Sequence, residues 1–357
     1  MTTQALNQQK AEEFGAKMVG VMNSAATALM ISIGHQTGLF DKMANLPPAT
    51  SQQLATAAKL HERYVREWLA AMVTSRIVDY HPVAGTYSLP PEHAAWLTRA
   101  AGSQNLARET QFVALLGEVE QGIVASFRQG GGVPYSAFPR FQELMAEGSR
   151  DNSHATLIDT TLPLVPGIIE RLQFGIDVAD IGCGQGHAIT LMAQAFPQSR
   201  FIGYEFSEQA IGVGRANAQQ MGLSNAHFVV QDVAMLETSA QFDFITAFDA
   251  IHDQAQPARV LQRIAAALRP AGTFLMVDVA ASSQLEENLD HPLGPWGYTI
   301  SCMHCMTVSL ALDGAGLGAM WGEQKARQML ADVGFSCVDV KRIQSDLFNN
   351  YYIATKN

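Results

Sequence analysis

From Gly175 onward, short apolar runs alternate with segments of helical length and period. In order they are "IDVADIG", "AITLMAQAF", "RFIGYEF", "EQAIGVGRANAQQMG", "AHFVVQD", "FDFITAF", "PARVLQRIAAALR" and "GTFLMVDV". Strands separated by helices cannot pair as hairpins. They must lie parallel, with helices covering both faces of one sheet. The chain ends differently: "FSCVDVKRI" and "NNYYIATK" are two strand patterns with no helix between them, so the last strand should run antiparallel. The expected class is therefore α/β with a Rossmann-like sheet.

Residues 1 to 125 follow another grammar, almost wholly helical. "PATSQQLATAAKL" offers Thr50 or Ser51 as a helix cap. "HERYVREWLAAMVTSRIVDY" puts Tyr64, Trp68, Leu69 and Met72 on one side of a helix, and "HPVAGTYSL" suggests a hairpin around Ala84 and Gly85. Helices followed by a hairpin make a mostly helical, winged-helix-like domain. The apolar stretch Met18 to Ile33 is short for a membrane span and interrupted by Gly20 and Asn23, so it reads as a buried helix of a soluble protein. Residues 126 to 172 form a linker, opening with the loop "RQGGGVPYS" and continuing as helices. Residues 173 to 357 form the α/β domain, with an insertion at about 280–321.

A winged helix raises the question of DNA. The formal net charge is −10, and phosphate neutralisation needs an excess of Lys and Arg, so no nucleic-acid partner is expected and a dimerisation role is favoured. Four cysteines, at 183, 302, 305 and 337, do not make a disulfide framework, and the opening "MTTQALNQQKAEEFG" lacks a signal pattern. A cytoplasmic protein with no membrane partner is expected.

The chemistry starts at "VADIGCGQGHAITLMAQAF". Gly182, Gly184 and Gly186 follow the first strand and open a helix, where backbone can approach a ligand and N–H groups can donate to it. A dinucleotide loop of the form G-x-G-x-x-G would need glycine at 187, which is His, and gains nothing from Asp180, which suits a cationic ligand instead. Glu205 ends the second strand, where an acid can accept from both ribose hydroxyls, and Asp232 ends the third, placed for an exocyclic adenine amine. Alone, each is as readily a cap or a surface carboxylate; in register with the glycine loop they line one crevice.

"VADIGCGQG", "FIGYEFS", "VVQDVAML" and "LRPAGTFLMVDV" resemble the successive motifs of class I S-adenosylmethionine-dependent methyltransferases, whose sheet also ends in an antiparallel strand. The resemblance implies S-adenosyl-L-methionine as cofactor. It places Gly182, Gly184 and Gly186 around the methionine part, Glu205 on the ribose, and Asp232 with Val233 at the adenine. Phe206, Phe248 and Asp249, at the strand mouths, belong to the same crevice.

The fourth strand runs into "ITAFDAIHDQ", bringing Asp249, His252 and Asp253 within five positions. Methyl transfer is an in-line displacement with the nucleophile about 3–3.5 Å from the methyl carbon, and a hydroxyl nucleophile is helped by a base near neutral pKa. "FPRFQELMAEGSRDNS", "AIHDQ" and "MVDVAA" are similar to O-methyltransferases of the caffeate and hydroxyindole type, which pair a winged-helix-like dimerisation domain with this catalytic fold. That likeness implies His252 as general base, Asp278 as its orienting carboxylate, and a homodimer through the N-terminal domain. Gln254 stands where the family has Trp, Asp278 is shorter than the usual Glu, and Met320 falls where the family has a further acid. A structural histidine, capping a helix or touching the cofactor, is the other reading of His252.

In the insertion, Tyr298 to Leu312 reads as a helix ending at Gly314, with Ile300, His304, Val308 and Ala311 on one stripe. Cys302, His304 and Cys305 cannot converge on one metal from one helix, so no metal is expected. Met303, Met306 and Met320 suggest an adaptable lid over a pocket, with His304 either a polar contact to substrate or a core histidine. By resemblance Tyr135 and Phe138, from "VPYSAFPRF", reach the same pocket. The expected acceptor is a small, partly apolar metabolite, methylated on oxygen, with S- or N-transfer by proximity as the alternative. Two other readings are a winged-helix regulator with a cofactor-sensing domain and an NAD-linked oxidoreductase; His187 and Asp180 disfavour the second.

Overall fold

The computed structural model describes residues 6–151, 156–344, 346 and 348–356. It divides into two compact units, Met1–Gly117 and Glu118–Asn357. The division, expected near 125, falls inside a helix, Gln111–Gln129.

The first unit contains α1 (Gln8–Thr37), α2 (Leu39–Ala44), α3 (Ser51–Ala58), α4 (Glu62–Thr74), the hairpin β1 (Asp79–His81) and β2 (Thr86–Ser88), α5 (Pro91–Leu97) and α6 (Leu106–Glu109). Thr50 and Gln53 form a reciprocal capping box at the start of α3. The buried stripe of α4 is Val65, Trp68, Leu69 and Met72, an i, i+3, i+4, i+7 set. Tyr64, expected on that stripe, is 81% exposed because it sits one position round the helix from Val65. Trp68 donates from Nε1 to the Met30 carbonyl at 2.8 Å, fixing the last third of α1 to the core of Phe40, Leu54 and Leu69.

α1 corrects a second expectation. It is long and apolar enough to cross a membrane by length and composition, yet only 6% of its apolar window is buried. Ser32, Gly34 and His35 are its buried residues, while Phe14, Met18, Val19, Met22, Leu29 and Ile33 face outward. The neighbouring helices reach only its C-terminal end, so its apolar face is not covered within the unit.

The second unit is built on β3 (Asp177–Ile181), β4 (Arg200–Glu205), β5 (Ala226–Val230), β6 (Phe242–Phe248), β7 (Leu268–Val279), β8 (Phe335–Lys341) and β9 (Asn349–Lys356), in the order β5-β4-β3-β6-β7-β9-β8. The first five are parallel; β9 inserts between β7 and β8, antiparallel to both. Side chains alternate between the two faces, as the pleat demands: on β7, Phe274 and Met276 enter one core while Leu275 and Val277 enter the other. At the opposite end from the crevice, Arg269 ties Asp177 (3.0 Å) to Asp243, and Arg200 holds Asp177 at 2.6 Å.

The helices after α6 are α7 (Gln111–Gln129), α8 (Phe141–Asp151), α9 (Ile168–Phe174), α10 (His187–Ala195), α11 (Glu208–Gln220), α12 (Pro257–Ala267), α13 (Gly294–Ile300), α14 (Met306–Leu310) and α15 (Glu323–Asp332). Between α13 and α14 the insertion helix widens into a π-helical turn over Ser301–Cys305. The loop "RQGGGVPYS" lies against α14: Val133 N–H donates to Thr307 Oγ1 at 2.8 Å. A Cβ on Gly132 would fall 1.9 Å from the Thr307 carbonyl oxygen, so only glycine allows that approach.

Candidate cofactor and acceptor site

β3 delivers the chain into the turn Gly182–Gly186, and Gly186 caps α10 at φ +72°. A Cβ there would meet the Phe228 ring at 2.1 Å, so both conformation and packing require glycine. Gly186 thereby shapes the loop without lining the cavity. A cavity of about 210 Å³ opens at the carboxyl ends of β3, β4 and β6. Of the residues singled out from sequence, Asp180, Gly182, Gly184, Glu205, Phe206, Phe248, Asp249 and Tyr135 line it. Gly186, Asp232, Val233, His252, Asp278, Phe138 and His304 stand outside the lining. Asp232 is exposed and accepts the Ala234 N–H at 2.9 Å, and Val233 is buried in the core.

Four carboxyl groups share this cavity: Asp180, Glu205, Asp249 and Asp253. Asp180 accepts from the Thr246 hydroxyl at 2.7 Å, yet burial and the charge of Glu205 push its pKa up to about 7. Asp249 is likewise pushed to about 7 by burial and then by Asp278. Its backbone sits at φ +49°, a left-handed conformation at the exit of β6 that Asp adopts more readily than most residues. Asp253 rises to about 6 through burial, with Asp278 and Glu205 adding to it. Burial also raises Glu205, against backbone N–H donors from Ser207 (3.0 Å) and Gly184 (3.2 Å). Burial thus outweighs what each carboxyl group has for a partner, the charge of His252 near Asp249 and Asp253 included, a condition that a cationic ligand would ease.

His252 is 4% exposed. Its Nδ1 donates to Asp278 Oδ1 at 2.8 Å, and the same oxygen accepts Val279 N–H at 2.8 Å and Trp321 Nε1–H at 3.0 Å. Asp278 Oδ2 is buried with no partner among the described residues. Burial disfavours the imidazolium, but the Asp278 carboxylate, joined by the Cys305 sulfur, outweighs it and holds the His252 pKa well above the ordinary value. The pair that sequence placed 26 positions apart is therefore a buried, hydrogen-bonded unit.

Sequence reading missed Phe141, Met145, Cys183, Gln185, His187, Asn217, Asp253 and Gln254 as lining residues, and Trp321 as a partner of Asp278. Asp253 had a visible signal, its place in "AIHDQ". Trp321 had none, because an indole reaching back 43 residues leaves no local pattern.

On the acceptor side, Tyr135 and Phe141 line the cavity, and Tyr135, Phe138 and Phe141 surround the His304 ring. Tyr135 also packs edge-on to Phe206, 5.9 Å between centroids. Among the described residues no group of three or more His, Cys, Asp or Glu is arranged to hold a metal ion.

Residues 25–99 match the family described as Rv2258c-like winged HTH domain, and residues 173–334 match the family described as methyltransferase domain. The first stretch is thus similar to winged helix-turn-helix domains and the second to methyltransferase domains. The ubiquinone biosynthesis O-methyltransferase of Coxiella burnetii is 34% identical over 101 residues, which are 28% of this chain and 41% of that protein. The match thus spans about two fifths of that relative's length. A putative O-methyltransferase from Nostoc punctiforme superposes with a TM-score of 0.73 at 18% identity, covering 96% of this chain and 98% of that one. Human N-acetylserotonin methyltransferase, solved with S-adenosylmethionine, gives 0.68 at 14% identity, covering 100% and 99%. The fold is the one these solved methyltransferases share.

Proposed function

We propose that the chain transfers the methyl group of S-adenosyl-L-methionine to an oxygen of a small, partly apolar acceptor. One observation carries this reading: four carboxyl groups of unfulfilled charge and a glycine turn border a single cavity at the strand ends. A nucleoside bearing a sulfonium supplies the missing cation and a diol for Glu205, whereas a pyrophosphate would meet only repulsion there. In this reading the Gly182–Gly186 turn holds the methionine part, Asp180, Asp249 and Asp253 offset the charge, and Phe206 and Phe248 flank the nucleoside. Asp232 and Val233 are assigned to the adenine by resemblance alone. When bound, the cofactor supplies an electrophilic methyl group.

The protein's part is to hold the acceptor and take its proton. Tyr135, Phe141 and Met145, with Phe138 packed behind Phe141, form an apolar wall that excludes water and orients a small acceptor. His252, held by Asp278 through Nδ1, accepts the acceptor's proton at Nε2, and Asp278 stabilises the resulting imidazolium. A second reading is favoured by one fact: His252 stands outside the cavity lining. A sulfur or nitrogen acceptor would need no base and would react by proximity.

The exposed apolar face of α1, with Phe14, Met18, Met22, Leu29 and Ile33, supports a homodimer formed through the N-terminal unit of a cytoplasmic enzyme. Calorimetry with S-adenosylhomocysteine and with NAD tests the cofactor assignment. Binding of the first alone is expected; binding of NAD alone would overturn it.

A further inference from the structure

Two tryptophans of this chain, Trp68 and Trp321, are buried, and their indole N–H groups meet different acceptors. Trp68 donates to a backbone carbonyl, that of Met30 at 2.8 Å, which is all that packing an indole requires. Trp321 donates instead to the Asp278 carboxylate at 3.0 Å. Oδ1 of Asp278 thereby accepts from His252 Nδ1, Val279 N–H and Trp321 Nε1, while Oδ2 is buried with no partner among the described residues. The indole passes over Oδ2 and joins the oxygen that already holds His252. Turning the carboxylate to exchange its oxygens would therefore break all of these hydrogen bonds at once.

The neck of the insertion sets the indole in place. Ser283 Oγ–H donates to the Trp321 carbonyl at 2.7 Å, and Glu323 N–H donates to the Ala281 carbonyl at 2.9 Å. Between them Gly322, at φ +80°, lies so close to Ser282 and Ser283 that an added Cβ would fall 2.1 Å from the Ser283 nitrogen. The backbone that bears Trp321 is thus pinned beside the segment that continues from Asp278 and β7. Met320, one position earlier, turns to α13, its sulfur 2.5 Å from where a Cβ on Gly297 would stand.

An indole N–H can only donate, so Trp321 can neither give His252 a proton nor accept one from it, and it acts on that ring through Asp278. A donor that stabilises a carboxylate takes up part of its charge, and less remains to hold an imidazolium. Other groups face the pair by charge: Asp249 and Asp253 from the loop of His252, Tyr352 from β9, and Cys305 and His304 from the π-helical turn. Val279 donates from its backbone, which leaves Trp321 as the one side chain besides His252 that bonds Oδ1 among the described residues. We infer that Trp321 is a positioning residue for proton transfer: its N–H fixes Asp278 Oδ1 on His252 Nδ1 and tempers the carboxylate's charge, so that Nε2 takes the acceptor's proton and can release it afterwards. This rests on the reading of His252 as the base of a methyltransferase.

The test follows the His252 imidazole by ¹⁵N NMR in the full chain, ligand-free and saturated with S-adenosylhomocysteine, from pH 5 to 10. Trp321→Phe removes the donor together with one ring. Replacing Trp321 by 3-benzothienylalanine keeps both rings and exchanges the N–H for sulfur, which separates the hydrogen bond from packing and stands in if the phenylalanine variant fails to fold. In both variants the His252 midpoint should rise by about half a unit to one unit, because the carboxylate's charge is left to the imidazolium. S-adenosylhomocysteine affinity, read by calorimetry, should stay unchanged. In an Asp278→Asn background, where the acceptor is neutral, the benzothienyl replacement should leave the midpoint where it stands. A midpoint indifferent to the isostere, or moved equally in the Asp278→Asn background, overturns the inference and leaves the methyltransferase reading standing. A wild-type chain that binds no S-adenosylhomocysteine overturns that reading, and the catalytic role of Trp321 with it.

Discussion

Asp278→Asn separates a base from a bystander at His252. Asp278 Oδ1 accepts from three donors: His252 Nδ1 and Val279 N–H at 2.8 Å, and Trp321 Nε1–H at 3.0 Å. An asparagine carbonyl oxygen can accept the same three, so geometry is retained and only the charge is lost. A hydrogen bond to a charged acceptor is worth about 1–1.5 kcal/mol more than one to a neutral acceptor. Direct attraction between charges about 4 Å apart near a protein surface sets an upper figure of about 4 kcal/mol. At 1.36 kcal/mol per unit, the His252 pKa should therefore fall by about one to three units.

Because His252 sits well above the ordinary histidine pKa, it must lose a proton before it can act as base, and kcat/KM should climb with pH through that value. The asparagine variant moves this climb to lower pH. Its plateau drops by about 2–30-fold, since roughly half of the lost imidazolium stabilisation is felt in the transition state. Labelled-methyl transfer measured from pH 5 to 10 resolves both changes. A plateau that falls while the climb stays in place would refute the assignment of the titrating group to His252; no change in either would remove the pair from catalysis. Stability follows the same sign. A raised histidine pKa stabilises the fold fully below about 6.5 and less as pH rises through the folded value, so wild type and variant should differ most in acid and converge in base.

His252→Ala should lower the methylation rate by about 10²–10⁴-fold with cofactor affinity held within several-fold; an undiminished rate leaves proximity as the catalyst, as for a sulfur or nitrogen acceptor. Glu205→Ala should weaken S-adenosylhomocysteine binding by about 1.5–3 kcal/mol in calorimetry, the value of charge-assisted hydrogen bonds, and unaltered affinity would remove Glu205 from the ribose. Asp180 and Asp249, raised to about 7, and Asp253, raised to about 6, hold protons in the folded ligand-free protein that the unfolded chain has released. Ligand-free stability should therefore fall as pH rises from about 4 through 7. S-adenosylmethionine, with its sulfonium, should gain affinity over the neutral thioether product across the same rise, and a pH-independent ratio would place these acids away from the sulfur. Removal of residues 1–110 should leave a monomer in size-exclusion chromatography; a dimer would move the interface elsewhere.

The strand-end acids were legible because a parallel sheet puts consecutive strand tips on one edge, and a glycine turn marks which edge it is. Asp180 and Glu205 needed only the alternation of strands and helices to be placed in one crevice, and both line the cavity. His252 and Asp278 were legible for the same reason, His252 just beyond the tip of β6 and Asp278 at the end of its neighbour β7. Trp321 and Phe141 were not, since they arrive from a long insertion and a loop whose paths are set by side-chain packing rather than by period. His304 lies between these cases. Its stripe could be drawn on a helix, but whether its nitrogens were satisfied depended on three aromatic rings contributed from 135 to 141.

α1 shows where hydropathy stops being informative. Its composition states that Met18, Met22, Leu29 and Ile33 should leave water, and the reading of a buried helix supplied the nearest available cover, the chain's own core. Within its unit that cover fully buries only Ser32, Gly34 and His35, with Met30 and Ile31 partly covered beside them. Apolar periodicity measures the free energy to be gained by burial, roughly 25 cal/mol per Å² of apolar surface, and is indifferent to which molecule provides it. An acid at a strand tip has its neighbours dictated by topology; an apolar face on a terminal helix has only a requirement. That is why the sequence could point to a strand-end crevice and a hydrogen-bonded His–Asp pair by residue number, yet mistake the destination of its long N-terminal helix.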